Sequence, residues 1–135
     1  MVIEQFLGAW YQLDESSECN LDDGDAVSQQ LGFGAVVGDE IWDPQSRVRI
    51  VFGPLPLARY LDFLPSGTAF KPLQSVVRFF AGDEYDFELQ LVLRREETPA
   101  LELGAKGDAA PQLGWVSWSK TRALEHDSCE TILQL

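Results

Sequence analysis

With 135 residues, the chain is long enough for one domain with a real core and too short for two comfortable ones. Ten Lys and Arg against 22 Asp and Glu give a formal net charge of -12, which repels phosphate backbones and anionic lipid surfaces and so excludes nucleic acid and membrane as natural partners. A hydrophobic share of 45%, with eight Phe and four Trp, excludes a disordered acidic segment.

No apolar run approaches the roughly 20 residues that span a bilayer, and no basic n-region precedes an apolar stretch at the N-terminus. Two cysteines, Cys19 and Cys129, are too few and too irregular for a disulfide framework, so a reducing cytosol is expected. Residues 2–13, VIEQFLGAWYQL, mix aromatic and β-branched residues in a manner that suits a pleated, half-buried strand, with Gly8 at a bulge. A strand entered without preamble reads as a domain cut from a longer protein. Residues 14–30 are densely acidic and lack an apolar period, which predicts a solvated loop.

From GFGAVVGDEIW to RVRIVFG, the residues Asp43-Pro44-Gln45-Ser46 separate two apolar runs, with Pro44 preset for a type I turn; the pattern predicts a β-hairpin. In its second arm Val48, Ile50 and Phe52 share one face and Arg47, Arg49 and Val51 the other, so the arginines point away from the core. Gly53 and Pro54 should then break the strand. Leu57, Tyr60, Leu61 and Leu64 recur at helical spacing before Pro65 and predict a two-turn helix. A second amphipathic helix follows, with Phe70, Leu73, Val77 and Phe80 on one stripe, Pro72 in the first turn and Gly82 as the stop.

Phe87, Leu89, Leu91 and Leu93 alternate with Asp86, Glu88 and Gln90, the signature of a strand with one face on the core and the other on water. Residues 98–112 read as a long connection, LGWVSWSKT as a short aromatic strand, and CETILQL as at most a strand end. The expected class is α+β, a largely antiparallel sheet made of the hairpin plus later strands with two short helices between. The domain is expected to span 1–122, with 123–135 as a polar C-terminal tail.

Candidate chemistry is thin. Gly32, Gly34 and Gly38 miss dinucleotide spacing and precede a strand rather than a helix, so no helix dipole is available for a phosphate. Asp22, Asp23 and Asp25 fail the calcium-loop register: taking Gly24 as the loop glycine puts Cys19 and Leu21 at ligand positions and Gln30 at the closing one. His126 stands three residues before Cys129 in a polar stretch without apolar residues to rigidify a thiolate pair. Ser117 and Ser119 lack the flanking glycines of a nucleophile elbow. The sequence therefore predicts no catalytic, cofactor-binding or metal-binding residues. Trp42, Trp115 and Trp118 are candidate interface anchors if they are not core residues, and Arg47 and Arg49 are candidates for pairing with a partner's carboxylates or with Glu40.

A series of short motifs runs in order through the chain: Leu31-Gly32, Gly38, Trp42-Asp43, Gln45, Arg49-Ile50, Gly53-Pro54-Leu55, Tyr60 with Phe63-Leu64-Pro65, Gly82-Asp83-Glu84, Leu91-Val92-Leu93, and Leu113-Gly114-Trp115 with Ser117-Trp118. Together they resemble the C-terminal half of the type VI secretion baseplate family TssG, also called ImpH or VasB. The resemblance covers about residues 2–122. It implies a phage-tail wedge-like fold and a non-enzymatic scaffold, without cofactors, that joins copies of TssF into wedges, contacts TssE and grips the adaptor TssK. It also implies a cytoplasmic site at the inner-membrane-docked secretion apparatus. The connections at residues 14–30 and 98–112 are the candidate adaptor loops by length. Two other readings stand beside this one: a phage-derived contractile tail wedge protein, and a small hydrolase built on His126 and Cys129 or on Asp83 and Glu84.

Overall fold

The computed structural model describes residues 1–14, 38–101 and 112–135, with Gly32 and Gly104. The acidic loop beyond Asp14, the first part of the expected hairpin, Cys19, Gly34, the three calcium-candidate aspartates and most of the 98–112 connection lie outside the described residues.

Strand β1 (Val2–Gln12) and strand β2 (Glu40–Leu55) are followed by helices α1 (Leu57–Asp62) and α2 (Phe70–Ala81), then by strands β3 (Asp86–Leu93) and β4 (Ser128–Gln134). The sheet order is β1-β2-β3-β4. The outer pairs β1/β2 and β3/β4 are antiparallel, while β2 and β3 run parallel. A parallel pair cannot be joined by a tight turn, and here the crossover carries both helices. The α+β class with a mainly antiparallel sheet is thus realised.

The core lies between β3 and the helices. Leu89, Leu91 and Leu93 are fully buried, with Phe87, Leu133 and Leu135 beside them on the sheet. Tyr60 and Leu64 descend onto these residues from α1 and its C-terminal end, and Phe70, Leu73 and Val77 of α2 pack against the same cluster. The expected second stripe therefore forms, but Phe80, one turn beyond Val77, is 82% exposed, so the core ends before the helix does. Gly82 closes α2 with φ 72°, its N–H donating to the Arg78 carbonyl at 2.9 Å.

Several expectations are corrected. The segment Asp43-Pro44-Gln45-Ser46 does not reverse the chain. Asp43 pairs with Ala9 and Arg47 with Leu7, so Pro44, Gln45 and Ser46 of β2 stand opposite Gly8 alone and the turn chemistry produces a bulge inside one long strand. Asp43 Oδ1 accepts from the Gln45 N–H at 2.9 Å, the local bond of a turn, but the flanking segments both remain on β1. The antiparallel partner of β2 is β1 rather than the stretch before the turn. Gly53-Pro54, in a cis linkage, likewise does not end β2, which runs on to pair Leu55 with Leu93 across an irregularity. Glycine is required at 53 because a Cβ there would come within 2.4 Å of the Val92 Cβ.

LGWVSWSKT is not a strand. The Trp115 and Val116 N–H groups both donate to the Gln112 carbonyl, and the turn drives Val116 into the core with Trp115 and Trp118 packed around it. Ser117 and Ser119 therefore do not alternate with Trp on a strand; the Ser117 Oγ accepts from the Gly114 N–H. Nor are residues 123–135 a tail throughout. Ser128, Thr131 and Leu133 are buried along β4 and Leu135 just beyond it, and a shift in register opposite Leu91 and Leu93 breaks the simple alternation that would have announced the strand.

Candidate protein–protein interface

The two arginines expected on the outer face of β2 do point away from Val48, Ile50 and Phe52, but they meet Glu88 of β3 rather than open water. Arg49 donates through Nε at 2.9 Å and Nη2 at 2.7 Å to Glu88 Oε2, and Arg47 Nη1 lies 2.9 Å from Oε1. Glu4 of β1 approaches Arg49 at 3.8 Å. Glu88 is only 8% exposed, so the face of β3 expected to meet water is covered by guanidinium groups. A carboxylate this buried is tolerated because both of its oxygens are paired with cations. Beside this cluster the Tyr11 hydroxyl donates to Asp86 Oδ2, a bond that raises its pKa, since ionising the phenol would break it beside a carboxylate.

Trp115 and Trp118 are half-buried against the core. The Tyr60 and Trp118 ring centroids are 5.9 Å apart, and the Tyr60 hydroxyl donates to the Trp115 carbonyl at 2.7 Å. The same hydroxyl lies 2.7 Å from Thr131 Oγ1, so one fully buried tyrosine ties α1, the aromatic turn and β4 together. Burial pushes the Tyr60 pKa up.

Trp42 is different. It pairs with Trp10 across β1 and β2, their rings tilted at 5.4 Å, and both stay more than half exposed. The Trp42 ring lies over Gly8, where a Cβ would stand 2.0 Å from it, so glycine in β1 makes room for an indole. Phe6, 70% exposed, continues the apolar surface along β1, and Val2 and Ile3 lie further along the same strand. A second exposed aromatic pair, Phe79 and Phe80, stands at the C-terminal end of α2, rings edge to face at 5.4 Å. An open groove of about 350 Å³ is lined by Phe6 of β1, Val48 of β2, Ala81 at the end of α2, Tyr85 and Phe87.

The five candidate residues are thus not brought together. Trp42 belongs to an exposed surface, Trp115 and Trp118 pack on the core, and Arg47 and Arg49 hold Glu88. Sequence reading missed Phe6, Trp10, Phe79 and Phe80, which it assigned to half-buried elements. The one legible signal was Phe79, a large aromatic of α2 that lies off the helical stripe to which Phe80 was assigned.

His126 lines an open cleft of about 410 Å³ with Pro54, Arg94, Arg95, Glu96, Glu125 and Asp127. Cys129 does not line it; it is exposed on β4, and its carbonyl accepts from Gln90 Nε2. Among the described residues, no group of three His, Cys, Asp or Glu side chains is placed to hold a metal ion, and no helix is long and apolar enough to cross a membrane.

Comparison with known proteins places these surfaces in context. A family model described as type VI secretion, TssG matches residues 1–120. Among solved structures, the chain is similar to one chain of the type VI secretion system TssK-TssF-TssG baseplate subcomplex, determined by cryo-electron microscopy, with a TM-score of 0.65 and 20% identity. The alignment covers 99% of this chain and 55% of that one, so this chain spans about half of its structural relative, and the likeness is one of fold. No match was found among curated proteins.

Proposed function

The chain belongs to the TssG family of type VI secretion proteins, and on that premise we propose that it is a structural, non-enzymatic part of the secretion baseplate, held there by TssF, TssE and TssK. The observation that carries the reading is two exposed aromatic patches, Phe6, Trp10 and Trp42 on β1 and β2 and Phe79 and Phe80 on α2. Large rings left in water on a folded monomer mark surfaces that associate, and aromatic anchors supply much of the binding energy at protein interfaces. The fold likeness to a chain from a complex that contains TssK and TssF supports the same partners here. The polar cluster around Glu88 and the cleft at His126 then serve stability rather than chemistry, and the work is done in the cytoplasm, at the docked apparatus.

Co-expression of the chain with TssF, TssE and TssK from its own gene cluster, followed by affinity purification, tests the proposal. Recovery of at least one of the three in stoichiometric amount is expected. A chain that emerges alone and monodisperse in every pairing would sink it.

A further inference from the structure

Helix α2 is apolar on both sides. Phe70, Leu73 and Val77 pack against the core, while Lys71, Pro72, Ser75, Val76, Phe79 and Phe80 are all exposed. The outward face of a surface helix is ordinarily its polar one. Here Val76 is 54%, Phe79 83% and Phe80 82% exposed, and Ser75 donates its hydroxyl back to the Lys71 carbonyl at 3.0 Å, so the middle of the face offers water little but hydrocarbon.

The charges at the two ends of α2 say what covers this face. Lys71 stands in the first turn, at the positive end of the helix dipole, with no acidic residue there to answer it. Asp62 is the nearest acid earlier in the chain, and Lys71 makes no ion pair with it or with any other described residue. At the negative end Arg78 pairs with Asp83 at 3.3 Å, which leaves the exposed Glu84. A lone helix prefers the reverse, anions at its start and cations at its end. Two copies of α2 laid antiparallel about a two-fold axis between Val77 and Arg78 relieve both ends at once. That axis sets Lys71 against the second copy's Glu84, Val76 against its Phe79 and Ser75 against its Phe80, so the charged pairs and the apolar centre share one midpoint. The net charge of -12 on each copy opposes association, but it is screened beyond ~8 Å at physiological salt, and α2 itself brings no carboxylate to the contact. We propose that the exposed face of α2 docks a second copy of this chain, antiparallel, through Val76, Phe79 and Phe80, and is closed at each end by Lys71 and Glu84. One helix face is small for an interface, so the dimer is a weak, reversible one.

Sedimentation velocity of the purified chain, from low micromolar to millimolar concentration, tests this. A monomer–dimer equilibrium is expected. Phe79→Ser should raise the dissociation constant at least about tenfold. Lys71→Glu should raise it at least about threefold, and adding Glu84→Lys to that variant should return it to within about twofold of the wild type. Amide protection of residues 86–93 in β3, unchanged in every variant, certifies the fold. A chain that stays monomeric throughout overturns the inference; if Phe79→Ser then costs it TssF or TssK, the face belongs to that subunit. A dimer indifferent to Phe79→Ser lies elsewhere on the surface and overturns it as well. A dimer that Phe79→Ser breaks and the double charge swap fails to restore overturns the antiparallel pairing. The baseplate reading is tested separately, by recovery of TssF, TssE or TssK, and survives each of these results.

Discussion

Strands β1 and β3 belong to one sheet and are both rich in large apolar side chains, yet they meet opposite fates. Every odd-numbered residue of β3 from Phe87 to Leu93 is buried, whereas β1 leaves Val2, Ile3, Phe6 and Trp10 more than half exposed. What separates them is the cover. α1, α2 and the turn carrying Val116 close over β3, and Tyr60 bolts that cover down; none of these elements is among the principal contacts of β1, which are with β2. Apolar content alone therefore does not make a core: one half of the sheet is covered by helices and a turn, and among the described residues the other half is not.

The contrast can be broken most directly by truncation. Leu91→Ala should cost about 2–5 kcal/mol, because a fully buried leucine leaves a cavity under the helices. Phe6→Ala, although it deletes a larger side chain, should stay within about 0.5 kcal/mol. Urea denaturation of both variants decides the matter, and equal losses would show that β1 is sealed as tightly as β3.

A smaller effect sharpens it. Gly53→Ala drives a methyl group against the backbone and Cβ of Val92, atoms that no side-chain rotation can move, and should cost about 1–3 kcal/mol. Gly8→Ala meets only the ring of half-exposed Trp42, which can turn outward into water, so the loss should be well under that. Thermal unfolding of the pair, with Trp fluorescence to report the displaced indole, measures both.

The smallest concerns the bolt itself. Tyr60→Phe removes the partner of Thr131 Oγ1 and of the Trp115 carbonyl, for a loss of about 1–2 kcal/mol. The same residue predicts an alkaline limit. Because burial raises its pKa above 10.0, the unfolded chain releases this proton first as pH rises. The contribution of Tyr60 is thus fully present below pH 10.0 and is lost as pH climbs from there through the raised folded value. Unfolding followed across that range should show a steeper fall for the wild type than for Tyr60→Phe.

The alternation of Phe87, Leu89, Leu91 and Leu93 and the Gly82 stop of α2 were legible because local pattern and tertiary role agree there. Asp43-Pro44-Gln45-Ser46 was legible as turn chemistry, but whether such a turn reverses a chain or merely bulges it depends on β1, thirty residues away in sequence, which holds both flanks. β4 was hidden by its register shift around Cys129 and Glu130, and Trp115 with Trp118 resembled a strand because both a strand and a plugged turn place aromatic residues close together. Trp42 could be named as an anchor, but its companion Trp10 could not, since cross-strand neighbours are invisible until the register is known.

Glu88 has a consequence for how the sheet finds its alignment. Strands β2 and β3 run parallel, so no hairpin loop dictates how far one slides along the other. Sliding β3 by a single residue would carry Glu88 to the side of the leucines and offer Leu89 to Arg47 and Arg49. Two guanidiniums waiting for one carboxylate thus act as a keyway: the strand locks at the one offset that fits the key, and every neighbouring offset is penalised twice, by a buried charge on one face and two orphaned cations on the other.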